Sequence, residues 1–504
     1  MTQAAEPGST LFDTGLPSVL EAFVVKANPW WQGQAMRPLP SFRRWLFEPA
    51  MQRLKNGLAP VTVLRGPRQV GKTTLQEHLI EQLLSEGTDP HRILRVQFDE
   101  LPAFQTEVMP ILALSFWFEK HILNSTFNAR ARNNEPAYLF FDEIQNLSDW
   151  APQVKALVDQ HAVRVLLTGS SALRIERGRD SLAGRISTLE MNTLLIREIA
   201  ALRGWGDLEP MLPVNGLGPL TTREFWDDLR AYGRQNQTLR NRAFAAFSER
   251  GGYPIAQART DRPWEEVADQ LNETIIRRVI QHDLRLGERG RKRDQNLLED
   301  LFRLCCRYAG QAPGQAIFVN EIKVAMSANI GWKRILAYLR FLNDTLLIRL
   351  VAPQELRLKR RKGQPKICLA DHALRASWLQ EVIPLAPEQL EHSPHLSDLA
   401  GHIAESVAGY FLGSFPGLDL AWFPERGAEP EVDFVLTLGE KRIPIEIKYR
   451  RQIDPHRDTI GLRAYLEKTV YNAPFGILVT LADDATVNDP RIIPLPLSSL
   501  LLMK

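Results

Sequence analysis

Short unbroken apolar runs punctuate the first part of the chain: "VTVL" at 61–64, "RILRVQF" at 92–98, "AYLFFDE" at 137–143 and "VRVLLTGS" at 163–170. Segments with helical spacing lie between them. Runs of this length, bounded by Gly and polar residues, read as strands buried on both faces, and their alternation with helices predicts an α/β domain with a parallel sheet. "STLEMNTL" at 187–194 offers a further strand. Ahead of the sheet, residues 1–55 hold a Pro- and Gly-containing arm with the pair Trp30 and Trp31, then one helix over "FRRWLFEPAMQRL". From 195 to about 290 helical spacing prevails, broken by "MLPVNGLGPL" at 211–220 and "GGYP" at 251–254.

The rhythm changes again over 296–375. "NLLEDLFRLCCRYAG", "VNEIKVAM" and "GWKRILAYLRFLNDT" are spaced as three helices, and "LLIRLVAP" with "PKICLAD" as two strands around a basic loop. Three helices and a hairpin are the plan of a winged helix-turn-helix. After it, "DLAGHIAESVAGYFLGSF" reads as an amphipathic helix, 427–450 as two strands joined by a polar turn, "TIGLRAYLEKTV" as a helix and "FGILVTLA" as a strand. No internal repeat interrupts this order.

Composition narrows the class. With 504 residues and a net charge of +3, the chain is long enough for about three domains. The three cysteines, Cys305, Cys306 and Cys368, give neither a disulfide framework nor paired CxxC spacing, so a reducing compartment is expected. The N-terminus lacks a basic segment before an apolar one, and charges break the apolar stretches, so the chain is expected in the cytoplasm. Basic residues concentrate at 284–293 and 356–366.

Gly66, Pro67, Arg68, Gln69, Val70, Gly71, Lys72 and Thr73 fit GxxxxGK[ST] without deviation, with Thr74 following, between a predicted strand and a predicted helix. Such a loop turns backbone N–H groups onto a phosphate at a helix N-terminus. Lys72 adds charge for the β- and γ-phosphates, and Thr73 can ligate Mg²⁺. In "YLFFDEIQ", Asp142 at the end of a buried strand can hold the Mg²⁺ shell and Glu143 can polarise the attacking water; the plainer alternative is two carboxylates capping a helix. Ser170 in "VLLTGSSA" is a candidate γ-phosphate sensor, although a simple turn uses the same residues. Arg185 in "DSLAGR" is a candidate arginine finger for a neighbouring subunit, or a solvated side chain.

Together GPRQVGKTT, FFDEIQ, LTGSSA, SLAGR and GGYP resemble a widespread prokaryotic group of AAA-type P-loop ATPases. The resemblance implies an α/β ATPase core (56–195) followed by a helical lid (196–294), a winged-helix domain (295–385) and a C-terminal restriction-endonuclease-like α/β domain (386–504). It also implies ATP and Mg²⁺ as cofactors and an oligomer, a hexameric ring being one form.

Within the winged helix, Lys333, Arg334 and Arg340 on the third helix could enter a nucleic-acid groove, with Arg357, Lys359, Arg360, Arg361 and Lys362 of the hairpin loop on phosphates. Winged helices also serve as protein spacers, and a charged loop can simply be solvated. In the C-terminal segment Asp433, Glu446 and Lys448 match the D-x(n)-E-x-K spacing of the PD-(D/E)xK nucleases, and Glu405 on the preceding helix corresponds to a further metal-site glutamate. Side-chain alternation puts Glu446 and Lys448 on one face, where Asp433 on the adjacent strand can meet them. Such a set can hold Mg²⁺ or Mn²⁺ and activate water against a phosphodiester. The same pattern also fits an edge strand with an outward Glu-Lys pair, and here Val432 rather than proline precedes Asp433. The leading expectation is an ATP-hydrolysing, oligomeric protein that processes DNA, branched forms included. Its rivals are a nucleotide-dependent assembly switch with an inactive docking module, and a motor on protein substrates.

Overall fold

A strand that is apolar on both faces must be covered on both, and three such strands form the middle of a five-stranded sheet in the computed structural model. The structure describes residues 16–98, 109–147, 149–169, 180–213, 216–280, 294–355 and 363–504. The chain divides into two units, one reaching Gly66 and resuming over Gly71–Met191, the other comprising Pro67–Val70 and Asn192–Lys504.

In the first unit, β1 (Val61–Arg65), β2 (Ile93–Gln97), β3 (Ala137–Asp142), β4 (Val163–Gly169) and β5 (Ile186–Glu190) lie in the order β2-β3-β4-β1-β5. Every neighbouring pair is parallel. All five carboxyl ends therefore face one edge, where loops from non-adjacent parts of the sequence meet. β3 is buried at all six positions, as its unbroken apolar run requires.

The N-terminal arm has more structure than its sequence spacing suggested. A helix spans Ser18–Ala27, burying Leu20 and Val24 one turn apart. Beyond it, the indoles of Trp30 and Trp31 both donate to the Ile93 carbonyl, at 3.1 and 2.9 Å. Asn28 exchanges two hydrogen bonds with the backbone of Arg95, accepting at 2.7 Å and donating at 2.8 Å. β2 is an edge strand, so these side chains satisfy backbone groups that would otherwise be open to another chain.

In the second unit, helices Gln295–Arg307, Gln315–Met326 and Trp332–Asp344 precede the antiparallel hairpin of β6 (Ile348–Val351) and β7 (Lys366–Leu369). A second sheet holds β8 (Asp419–Phe423), β9 (Val432–Leu438), β10 (Lys441–Lys448), β11 (Gly476–Thr480) and β12 (Ile492–Pro496) in the order β12-β11-β10-β9-β8. β8, β9 and β10 are antiparallel neighbours, whereas β10, β11 and β12 run parallel. Pro444 fits this switch: pairing with β11 begins at Ile445, beyond the residue that has no N–H to give. The helix Ile460–Leu466 lies between β10 and β11 in sequence and packs Leu462, Tyr465 and Leu466 with Phe423, Val432, Val435 and Leu478.

The helix Ser397–Gly413 joins the hairpin to the second sheet through a close approach at Gly409. A Cβ there would lie 2.4 Å from Cys368 Sγ on β7 and 2.6 Å from Phe434 Cζ on β9, so only glycine permits the spacing. A bulge in β8 between Ala421 and Phe423 frees Trp422 to pair with the hairpin, its N–H donating to Ala352 O and its O accepting from Gln354 N. Elsewhere in this unit, buried Arg240 makes a two-pronged ion pair with Asp483 (2.9 and 2.5 Å) and donates to Ser499 Oγ at 2.7 Å.

Candidate functional site

The loop after β1 turns sharply into the helix Lys72–Ser85. Gln69 and Gly71 have positive φ, 62° and 94°, and at Gly71 the left-handed conformation caps the helix without the strain a side chain would bring. Lys72 is buried, and its Nζ donates to the Gly66 carbonyl at 3.0 Å, closing the loop over its own start. Thr73 Oγ1 donates to Asp142 Oδ2 at 2.8 Å, joining the loop to the end of β3.

Asp142 is fully buried, and its other oxygen accepts from the Thr168 hydroxyl on β4. Burial, then the charge of Glu143, pushes the Asp142 carboxyl above its usual range, and the two hydroxyls and Arg95 at 4.0 Å only partly offset this. Glu143 sits in the left-handed region at φ 52°, a strained position for a non-glycine residue. Its N–H holds it there by donating to Asp142 Oδ1 (3.1 Å) and Thr168 Oγ1 (3.2 Å), while Gln145 donates to its carboxylate. The hydroxyl that meets Asp142 is thus Thr168; Ser170, the sensor expected from sequence, lies outside the described residues. Arg185 forms a two-pronged ion pair with Asp159 in its own chain.

A second cluster gathers where β9, β10, the Ser397–Gly413 helix and β7 meet. The β9–β10 register pairs Phe434 with Ile445, so Asp433 and Glu446 are next in line on the same face. Asp433 Oδ2 accepts from the Ile447 N–H at 2.9 Å, and Lys448 Nζ lies 2.5 Å from Glu446 Oε1. Glu405 joins through a residue absent from the sequence expectation. Lys366 Nζ sits 2.8 Å from Asp433 Oδ1, 3.1 Å from Glu405 Oε2 and 3.4 Å from Glu431 Oε1. The ammonium also lies 5.2 Å from the Phe434 ring centroid and 5.7 Å from that of Trp422.

Electrostatics follow from this packing. Burial, then the Asp433 charge, pushes Glu446 up to about 8, and its Oε2 is buried with no hydrogen-bond partner. Burial and Asp433 also raise Glu405. Burial works against an ionised Asp433, yet the Lys366 and Lys448 ammonium groups hold its carboxyl below the usual range. Asp433, Glu446 and Lys448, expected from spacing, and Glu405, expected from the resemblance, are brought together, and a lysine from the hairpin joins them. The signal in the sequence was one lysine opening the apolar run "KICL", where a strand buried at every position places its ammonium inside the fold.

Of the expected nucleic-acid residues, Lys333, Arg334 and Arg340 are exposed on the helix Trp332–Asp344, opposite the buried Ile335, Tyr338, Leu339 and Leu342. Arg334 lies 3.8 Å from Asp294. Arg357, Lys359, Arg360, Arg361 and Lys362 lie outside the described residues. Among the described residues no helix is long and apolar enough to cross a membrane.

Residues 59–200 match a family model described as an AAA domain, and 241–382 match one described as a domain of unknown function. Uncharacterized proteins of Mycobacterium bovis and Mycobacterium tuberculosis are each 26% identical over 412 residues, covering 79% of this chain and 73% of theirs. Among solved structures, the Walker-type ATPase of Pyrococcus abyssi is similar with a TM-score of 0.39 at 14% identity, over 68% of this chain and 99% of that one. The Hsp104–ADP complex of S. cerevisiae is similar with a TM-score of 0.28 at 15% identity, over 61% of this chain and 40% of that one. The parallel five-stranded sheet, the loop at Lys72 and the match over 59–200 together make this segment an AAA-type P-loop ATPase domain.

Proposed function

We propose that this chain hydrolyses ATP and uses the cycle, as an assembly of copies, to act on DNA. The observation that carries the reading is the 2.8 Å bond between Thr73 and Asp142, which pairs in advance the two side chains suited to a nucleotide-bound cation. Lys72 leaves the Gly66 carbonyl to meet the β- and γ-phosphates. Thr73 and Asp142 hold the cation shell. Glu143, fixed by its own N–H, takes the proton of the attacking water. Mg²⁺, when bound with the nucleotide, would supply positive charge against the phosphate oxygens.

Assembly enters through Arg185, which exchanges Asp159 for the γ-phosphate of a neighbouring copy. DNA enters through the exposed face of Lys333, Arg334 and Arg340, in a domain read as a winged helix. Residues 386–504 are read as restriction-endonuclease-like because Glu405, Asp433, Glu446 and Lys448 converge. Lys366 within that cluster favours a second reading, in which the C-terminal module binds or docks and does not cut.

The test is ATP turnover by the full chain with and without single-stranded, duplex and branched DNA. Wild-type turnover rises with DNA and Lys72→Ala abolishes it; absence of stimulation by every DNA form removes DNA from the reading. Arg185→Ala lowers the rate about 10³-fold or more while nucleotide still binds, if the arginine acts in a neighbour's site. An unchanged rate assigns it to the Asp159 pair alone.

A further inference from the structure

We infer that Lys366 is a tethered cation that fills the metal position of the C-terminal carboxylate centre and keeps that centre free of divalent ions. The inference rests on the restriction-endonuclease-like reading of residues 386–504, a fold whose chemistry calls for Mg²⁺ or Mn²⁺ between its acidic side chains. The donor set here does not fit such an ion. Asp433 Oδ1 and Glu405 Oε2 both point at Lys366 Nζ, and Asp433 Oδ2 already accepts from the Ile447 N–H. Glu446 Oε1 is taken by Lys448. Among the described residues no group of three or more His, Cys, Asp and Glu side chains is arranged to hold a metal ion.

An ammonium has three donors, and Lys366 meets three carboxylates within 3.4 Å while two aromatic rings flank it. Its side chain is 2% exposed, so this is not a surface pair that exchanges freely with water. Two packed elements keep it in place. β7 is locked to the Ser397–Gly413 helix by the contact at Gly409, and the Trp422 indole donates to Gln364 O at 3.1 Å, two residues before Lys366. A divalent ion in the same space would lie against a fixed positive charge, and expelling an ammonium from among buried carboxylates is strongly unfavourable.

One oxygen shows what the lysine suppresses. Glu446 Oε2 is buried without a hydrogen-bond partner, close to Gly461, where a Cβ would lie 3.5 Å from it and 2.6 Å from the Glu431 carbonyl oxygen. Removing the ammonium frees Asp433 Oδ1 and Glu405 Oε2, and a shift of these side chains toward Glu446 Oε2 would bring three carboxylates to one hard divalent cation. The centre is then a latent metal site closed by a residue of the preceding hairpin. Any movement of β7 away from the Ser397–Gly413 helix would open it.

The experiment measures Mn²⁺ binding to the nucleotide-free full chain by electron paramagnetic resonance of the free ion. Four proteins are compared: wild type, Glu446→Gln, Lys366→Met and Lys366→Met/Glu446→Gln, with thermal unfolding of each to register folding. The expected result is equal Mn²⁺ binding by wild type and Glu446→Gln. Lys366→Met should gain one site, about tenfold or more tighter than any change in the controls, and the double variant should lose it. Wild-type binding that falls with Glu446→Gln overturns the inference, because it places a metal in the centre with the lysine present. A folded Lys366→Met chain with no added site overturns it equally. Where Lys366→Met does not fold, Lys366→Gln, which keeps an N–H donor, replaces it under the same criteria. DNA cleavage is assayed separately on the same proteins. No cleavage by any of them, with Mn²⁺ gained by Lys366→Met, rejects nuclease chemistry and leaves the lysine's role intact.

Discussion

Asp142 shows how one buried carboxylate sets the pH range of a nucleotide site. It accepts from Thr73 and Thr168, and burial together with Glu143 raises its carboxyl above the usual range. A raised group binds its proton at higher pH, so the anion needed beside Mg²⁺ is lost earlier on acidification than an exposed aspartate would be. Calorimetric titration with ADP and Mg²⁺ should show affinity falling on acidification at a higher pH than an unperturbed aspartate, near 3.9, would give. Asp142→Asn should remove that dependence. Thr168→Val leaves Asp142 with one fewer donor and should lower the stability of the ATPase unit by about 1–3 kcal/mol in urea unfolding.

At the scale of elements, the same contact that builds the C-terminal centre also explains what the sequence could not reveal. The nucleotide site was legible because its motif is continuous, and the strand and helix around it set its geometry: β1 ends at Arg65 and the helix begins at Lys72. Asp433, Glu446 and Lys448 were legible because alternation along neighbouring strands is a local rule. Lys366 was not, since it meets Glu405 and Asp433 across 39 and 67 residues, through the packing of a hairpin on a helix rather than any local period. The docked arm escaped for the same reason, Asn28 reaching Arg95 across 67 residues. Gly409→Val tests the hairpin contact, since its side chain would meet Cys368 and Phe434 at sub-van der Waals distance. It should cost about 1–3 kcal/mol of stability or more, read by thermal unfolding, with ATP binding retained.

At the scale of the whole molecule, charge and stability are linked through the buried centre rather than through the net charge of +3. Glu446 faces Lys448 on its own strand, Asp433 on β9, Lys366 on β7 and the backbone of the Ile460–Leu466 helix near Gly461. With its carboxyl pushed up to about 8, the folded chain keeps the Glu446 proton through neutral pH, whereas the unfolded chain releases it near the ordinary glutamate value. Across that window the native state binds more protons than the unfolded state, so unfolding free energy falls as pH rises and levels off once pH passes about 8. This is opposite in sign to the contribution of Asp433, whose lowered carboxyl stabilises the fold above the ordinary aspartate range and loses that contribution as pH falls through its native value. The full chain should therefore lose stability from about pH 5 to 8 in urea unfolding, and Glu446→Gln, which keeps the neutral form at every pH, should flatten that slope. An unchanged slope in Glu446→Gln would assign the pH dependence to other groups and mean that Glu446 is ionised beside Lys448 in the folded chain.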